Sequence, residues 1–397
     1  MMKTLLLSTT MLLIAVLVIP ETIKAENETV STKSLQTAEI KIPMTAEHWE
    51  FQPGKAEFLN YKGVSSMKVS ARTNPVVLKD FNFADGTIEF DVAAERQTFF
   101  GIYFRRRDKN ESECFYFRNL ASRNPSAVDA VQYTPIIRGI NLWDLLPHFQ
   151  GDAKIKLNDW NHVKLVVSGM QMLVYVNDLT QPALEIPRLE GDVTEGTLAF
   201  DGIEAYLANL VIKPNEVEDL SPKEGFDPTH SDPRYLRNWQ VNKPTPLPEG
   251  QELFAGGLAK ADSSWENIEA ERRGLINLTR KFTVASGRNP WELERKVVLL
   301  KATVNSKTAQ KKLLRLGFSD EVWVFLNKKT VFVDKNIYSQ GMRKTPDGRI
   351  SIENAAFDLV LNQGENELLI GIATNFYGWG IVARLESMEG LEIINPK

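Results

Sequence analysis

Three acidic side chains in one short stretch are the first place to look for chemistry. Glu89, Asp91 and Glu95 stand in the pattern E-x-D-x-x-x-E. In an extended segment successive side chains alternate, so Glu89 and Asp91 share a face opposite Ile88, Phe90 and Val92. Two carboxylates about 5 Å apart on one face are what retaining glycoside hydrolysis requires, one as nucleophile and one as acid. Glu113, on a later strand, is a further carboxylate for such a reaction. The same alternation equally describes the polar outer face of a half-buried strand.

A second set combines aromatic rings with guanidinium groups. Tyr103, Arg105 and Arg107 share one face of the segment 101–107. Tyr116 and Arg118 share a face of the next strand, with Phe115 and Phe117 opposite. A ring can stack on the apolar face of a pyranose while arginine donates fixed hydrogen bonds to hydroxyls or to a uronate. The stretch 119–150 reads as one long loop carrying Gln132, Tyr133, Asn141, Trp143 and Asp144. Loops of that length in compact domains are usually functional. In this reading the Trp143 ring lies exposed over the face to which Arg118 points. The alternative packs Trp143 and Tyr133 beneath their own loop. Further on, Trp379 stands in Asn375-Phe376-Tyr377-Gly378-Trp379-Gly380, as a sugar platform or as a cap on a core.

Other chemistries find little support. The histidines His48, His148, His162 and His230 have no ligand spacing, and His162 beside Trp160 reads as structural. There is no phosphate-cradling glycine loop, dinucleotide fingerprint or nucleophile elbow. The lone Cys114 lies in an apolar strand and reads as packing. No cofactor is expected. The 47 basic and 51 acidic residues nearly balance, which argues against nucleic acid as a partner, since phosphate binding needs a clustered basic field.

These residues sit on a regular series of short strands. Period-2 alternation marks 87–92, 100–105, 114–118, 162–167, 172–176, 197–200 and 207–212, with turn residues between. Residues 214–250 are rich in proline and poor in aliphatics, and read as a semi-rigid linker. Residues 235–239 are a candidate first strand of the second module. Strands return at 276–282, 295–303, 312–318, 321–326, 330–333, 356–361, 367–374 and 380–385. Such a chain predicts an all-β protein of two β-sandwich domains, 40–213 and 251–393. The N-terminus has signal-peptide grammar: Lys3, an apolar run to Ile19, then Pro20 and Ala25. The expected order is therefore signal peptide 1–25, flexible segment 26–39, sandwich, linker, sandwich. The mature chain is expected to be soluble, secreted or periplasmic, with no membrane span and, having one cysteine, no internal disulfide.

The first module resembles the concanavalin A-like lectin/glucanase superfamily, near its laminin G-like branch. The resemblance rests on 85–92 (DGTIEFDV), 101–105 (GIYFR), 115–118 (FYFR), 159–165 (DWNHVKL) and 174–177 (VYVN). The second resembles galactose-binding-like jelly rolls, through 316–327 (LGFSDEVWVFLN), 364–371 (GENELLIG) and 378–380 (GWG). There the family has glycine after the strand's final Asn, whereas this chain has Lys328. The pairing is similar to secreted bacterial proteins, and implies a non-catalytic carbohydrate-binding protein. Tyr103, Arg105, Tyr116, Arg118, Tyr133, Asn141, Trp143 and Trp379 are its candidate sugar contacts. Both folds can also hold a structural calcium ion, with no ligands assigned. The first fold's laminarinase-type enzymes carry E-x-D-x-x-E or E-x-D-x-E, from which Glu95 departs by its position. A likeness of 101–105 and the Glu113 strand to 3-keto-disaccharide hydrolases gives a second enzymatic alternative. The third alternative is a structural or adhesion spacer whose modules pack rigidly on each other.

Overall fold

A computed structural model describes residues 39–71, 74–120, 127–260, 264–282, 294–338 and 341–396. The expected signal peptide and residues 26–38 lie outside them. The described chain is all-β, and its single α-helix is one turn long, Leu278–Lys281.

Strands between Ile40 and Pro214 build two facing sheets. One runs Leu184–Ile186, Gln171–Val176, Asn161–Ser168, Gly86–Ala94, Ala205–Pro214, Val64–Val69, Ala56–Tyr61. Its outer face carries partly exposed side chains, and we call it the open sheet. The other runs Ile140–Asn141, Val131–Ile137, Ser112–Leu120, Thr98–Arg106, Thr197–Gly202, Val76–Leu78, Trp49–Glu50. The second module packs on its outer face, and we call it the covered sheet.

Alternation explains the core. Ile88, Phe90 and Val92 are fully buried between the sheets, and the Phe90 ring meets those of Phe100 and Phe200 of the covered sheet. Each such side chain contributes about 1.5–3 kcal/mol by leaving water. Their neighbours Glu89 and Asp91 point outward, opposite Lys164 and His162 of the adjacent antiparallel strand.

The second module has the same plan. Glu266–Glu269, Asn238–Val241, Lys296–Ser306, Gly364–Thr374, Glu321–Leu326 and Lys329–Lys335 form one sheet. Leu275–Asn277, Gly380–Leu385, Gln310–Ser319 and Ala355–Leu361 form the other. Trp239, Phe318, Val324, Ile370 and Trp379 lie in the core between them. Within the stretch read as linker, Asn238–Val241 and Thr245–Pro246 pair with Lys296–Ser306.

Two local expectations change. The segment 119–150 is not a continuous loop, because Val131–Ile137 inserts as a strand beside Ser112–Leu120. All its residues are buried, so it lacks the in-out alternation by which a strand is read. Of the segment 276–282 only Ile276 and Asn277 are strand, as the end of Leu275–Asn277, after which the Asn277 side chain accepts from the Arg280 N–H and caps the single turn.

Candidate functional site

The aromatic and arginine set comes together, and what lies over it is protein. Tyr116, Trp143, Cys114 and Ile136 form one apolar cluster with Phe376 of the second module, joined by Tyr103, Tyr338 and Tyr377. Trp143 is 6% exposed, so the exposed ring expected from the sequence is not found. Its ring meets Tyr338 at 5.1 Å, Tyr377 at 5.8 Å and Phe376 at 6.4 Å, all edge-on. Nor does it pack only under its own loop, since these partners come from the other module. Arg118 does point to the same side. Its guanidinium lies 5.4 Å from the Trp143 ring and bonds the Gln132 side chain at 2.8 Å, with Asp129 at 3.5 Å. Arg349 of the second module lies on the same indole at 5.2 Å.

Tyr103 and the remaining predicted contacts have partners of their own. Tyr103 donates to Asp201 at 2.9 Å. Asn141 turns back to accept the Trp143 N–H at 2.9 Å. Trp379 is buried in the second core, beside Phe282. Arg105 does not share the Tyr103 face. A register shift in the pairing of Thr98–Arg106 with Thr197–Gly202, with Arg105 at φ 47°, turns its side chain into the fold. There it bonds Asp85 at 2.6 Å and the carbonyls of Ala84 and Gly169. Tyr133 also points inward, opposite Phe115. It donates to the Glu113 carboxyl at 2.6 Å, and Glu113 also accepts the Gly191 N–H at 3.1 Å. Burial raises the Glu113 pKa to about 7, against these hydrogen bonds. Glu113 is fully buried and has no face open to a substrate.

The outer face of the open sheet brings together polar groups that stay accessible. His162 stands between two carboxylates, its Nδ1 at 2.8 Å from Asp91 and its Nε2 at 3.4 Å from Glu89. Asn209 donates to the other Asp91 oxygen at 2.7 Å, and Lys213 to Glu89 at 2.9 Å. Asn209 reaches Asp91 because the strand Ala205–Pro214 is bulged there, with Asn209 at φ 52°. Bulges re-aim side chains in this way and recur beside functional sites. The hydrogen bond to Asp91 raises the His162 pKa, against the effect of burial, and both carboxylates add to the rise. Burial alone would raise the Asp91 pKa, but hydrogen bonds from His162 and Asn209 outweigh it and hold the carboxyl below its ordinary value. The side chains stay reachable, with His162 36% and Glu89 and Asp91 each 20% exposed.

Aromatic rings flank this array. Tyr61 stacks on Tyr206 at 3.7 Å and meets Trp160 edge-on at 5.6 Å. On the other side Lys164 lies 5.6 Å from the Tyr175 ring. Glu95 is exposed, apart from the Glu89–His162–Asp91 array. Sequence reading assigned His162 a structural role and passed over Asn209. The signal for Asn209 is the spacing of Leu207, Leu210 and Ile212, which breaks period 2 once, at the bulge. Among the described residues no group of three or more His, Cys, Asp or Glu side chains is arranged to hold a metal ion. No helix among them is long and apolar enough to cross a membrane.

No family model and no curated protein matches this chain. Solved structures with partial likeness include a protein of unknown function with a galectin-like fold from Bacillus subtilis. It is 13% identical, with a TM-score of 0.33, over 44% of this chain and 94% of that one. A carbohydrate-binding module from Bacillus subtilis is 13% identical with a TM-score of 0.30, over 42% and 95%. A β-glucanase from Bacillus licheniformis is 9% identical with a TM-score of 0.32, over 45% and 98%.

Proposed function

We propose that this protein is a non-catalytic carbohydrate-binding protein, and that it meets its glycan on the outer face of the open sheet. The observation that carries the reading is the accessible Glu89–His162–Asp91–Asn209 array. A sugar hydroxyl both donates and accepts. Carboxylate acceptors beside imidazole and amide donors, fixed on neighbouring strands, match that chemistry with little ordering cost. Tyr175, Tyr61 and Trp160 offer rings at either side for the apolar faces of successive pyranoses. A signal peptide at 1–25 would deliver the chain to where polysaccharides are found.

Hydrolysis is the weaker reading of the same residues. A retaining mechanism places the scissile bond between its two carboxyls, and a general acid needs a raised pKa. Here the His162 ring occupies the place between Glu89 and Asp91, and the Asp91 carboxyl, held low, does not suit the general acid.

The test is affinity measurement with the mature chain over a panel of neutral and acidic polysaccharides. Asp91→Asn and His162→Ala each remove charge-assisted hydrogen bonds of about 1.5–3 kcal/mol. Each is expected to weaken the bound glycan by roughly one to two decades. Trp143→Asn, on the covered face, should cause no selective loss. Absence of binding across the panel would overturn the reading. Release of sugar products that Glu89→Gln abolishes would replace it with the hydrolase.

A further inference from the structure

Where the two modules and the connecting segment meet there is a cleft of about 220 Å³. Its apolar wall includes Leu145 and Ile350, and its polar lining includes His148, Glu190, Arg272 and Arg273. None of these belongs to the open-sheet array. Most polar groups at this junction already have partners. Arg280 pairs with Glu271 at 2.7 Å and with Asp192, and donates to the Glu190 carbonyl at 2.6 Å. Arg272 donates to the carbonyls of Gly225 and Phe226, at 3.0 and 2.6 Å.

Arg273 differs. Its backbone N–H is held by Asp227 at 3.3 Å, but its guanidinium makes no hydrogen bond or ion pair among the described residues. It is half-buried, and burial lowers its pKa even with Asp227 nearby. A half-buried guanidinium with no hydrogen bond or ion pair of its own carries a desolvation penalty that Asp227 only partly offsets and that a bound carboxylate would relieve. The backbone is built to present it: Arg273 has φ 56°, and Gly274, at φ 75°, lies so close to Tyr235 that a Cβ would come within 2.5 Å of the ring. The His148 ring lies 4.0 Å from that of Phe149, tilted by 54°. Burial, with Arg273 and Arg272 nearby, lowers its pKa to about 3. It is therefore neutral at pH 7 and offers one donor and one acceptor.

We infer that this cleft binds a single six-membered ring bearing a carboxylate, of which a hexuronic acid is the sugar form. The carboxylate pairs with Arg273. One ring face lies on the apolar wall, and the hydroxyls reach His148 and Glu190. The volume is below the roughly 300–1,000 Å³ of pockets for drug-sized ligands, which limits the occupant to about one ring. This site is independent of the glycan face on the open sheet.

The experiment is calorimetric titration of the mature chain with glucuronate, benzoate and glucose. Glucuronate is expected to bind at least tenfold more tightly than glucose, with Arg273→Gln losing that preference while its melting temperature stays unchanged. His148→Ala, which leaves the cation in place, should weaken glucuronate but not benzoate, which has no hydroxyls to lose. Asp91→Asn, on the open sheet, should leave glucuronate binding intact. Tighter binding of benzoate than glucuronate would keep the carboxylate and overturn the sugar. Equal binding of glucose and glucuronate, or full glucuronate affinity in Arg273→Gln, would overturn the site.

Discussion

At the scale of the residue, Trp143 shows how one side chain can satisfy a sequence pattern and change its meaning. The guanidinium groups of Arg118, at 5.4 Å, and Arg349, at 5.2 Å, one from each module, both lie against its indole. Cation–π contacts contribute about 0.5–2 kcal/mol each, most where water is excluded. Like charges tolerate this proximity because Asp129 lies near both, at 3.5 and 3.9 Å. Removing the ring leaves a cavity and two cations without their aromatic partner. Trp143→Ala is expected to cost about 3–5 kcal/mol, read as a lower urea midpoint at unchanged slope. A loss under about 1 kcal/mol on the same scale would mean that the ring is not part of the packed junction.

At the scale of the element, the hairpin joining Glu321–Leu326 to Lys329–Lys335 carries a legible cost. Its two loop residues, Asn327 and Lys328, have φ of 50° and 66°. Asn tolerates that region, but Lys does so against its Cβ. The turn keeps its shape because the Asn327 side chain accepts the Glu367 N–H at 3.0 Å and donates to Asn366 at 2.8 Å. The jelly-roll resemblance expects glycine where Lys328 stands, and the structure holds the same tight turn without it. Lys328→Gly should therefore stabilise the protein by about 1 kcal/mol. In a domain of this size that is roughly 2–4 °C in melting temperature. No rise, or a fall, would show that the strain is relieved elsewhere.

At the scale of the whole molecule, the modules share a buried acidic contact. Asp144 of the first and Asp320 of the second are each 2% exposed. The Ser319 hydroxyl lies 3.1 Å from one and 3.0 Å from the other. Asp144 also accepts the Gly378 N–H, and Asp320 those of Asn375 and Phe376. Burial raises both carboxyl pKa values, and for Asp144 the neighbouring Asp320 adds to it. Burial also lifts Glu113 and Glu190 to about 7. Unfolded, such groups titrate near 4, so between about 4 and 7 the folded state holds more protons. Stability then falls as pH rises through that window. Carboxyls held low, such as Asp91, act oppositely, and their contribution is lost only in more acidic solution. The melting temperature is expected to be higher at pH 5 than at pH 8, with Asp320→Asn flattening the decline. A flat profile, or an unchanged slope in the variant, would refute the assignment.

The sequence by itself determined many of the strands of each sandwich, and the faces of their residues wherever period 2 holds. Where one face meets a core and the other meets water, alternation is written into the chain, as in Gly86–Ala94. It also brought Tyr103, Tyr116, Arg118 and Trp143 to one side of a sheet. Where both faces are buried, as in Val131–Ile137, no alternation exists to be read. Where a register shift turns the backbone, at Arg105 and Asn209, counting by twos fails. Only the tertiary structure decided what covers the aromatic face. Tyr, Trp and Arg are the residues favoured both at sugar platforms and at protein–protein contacts, because both bury rings beside polar groups that still need partners. Local sequence records that need and not what meets it. Here Tyr338, Arg349, Phe376 and Tyr377, more than 180 residues away in the chain, meet it from the second module.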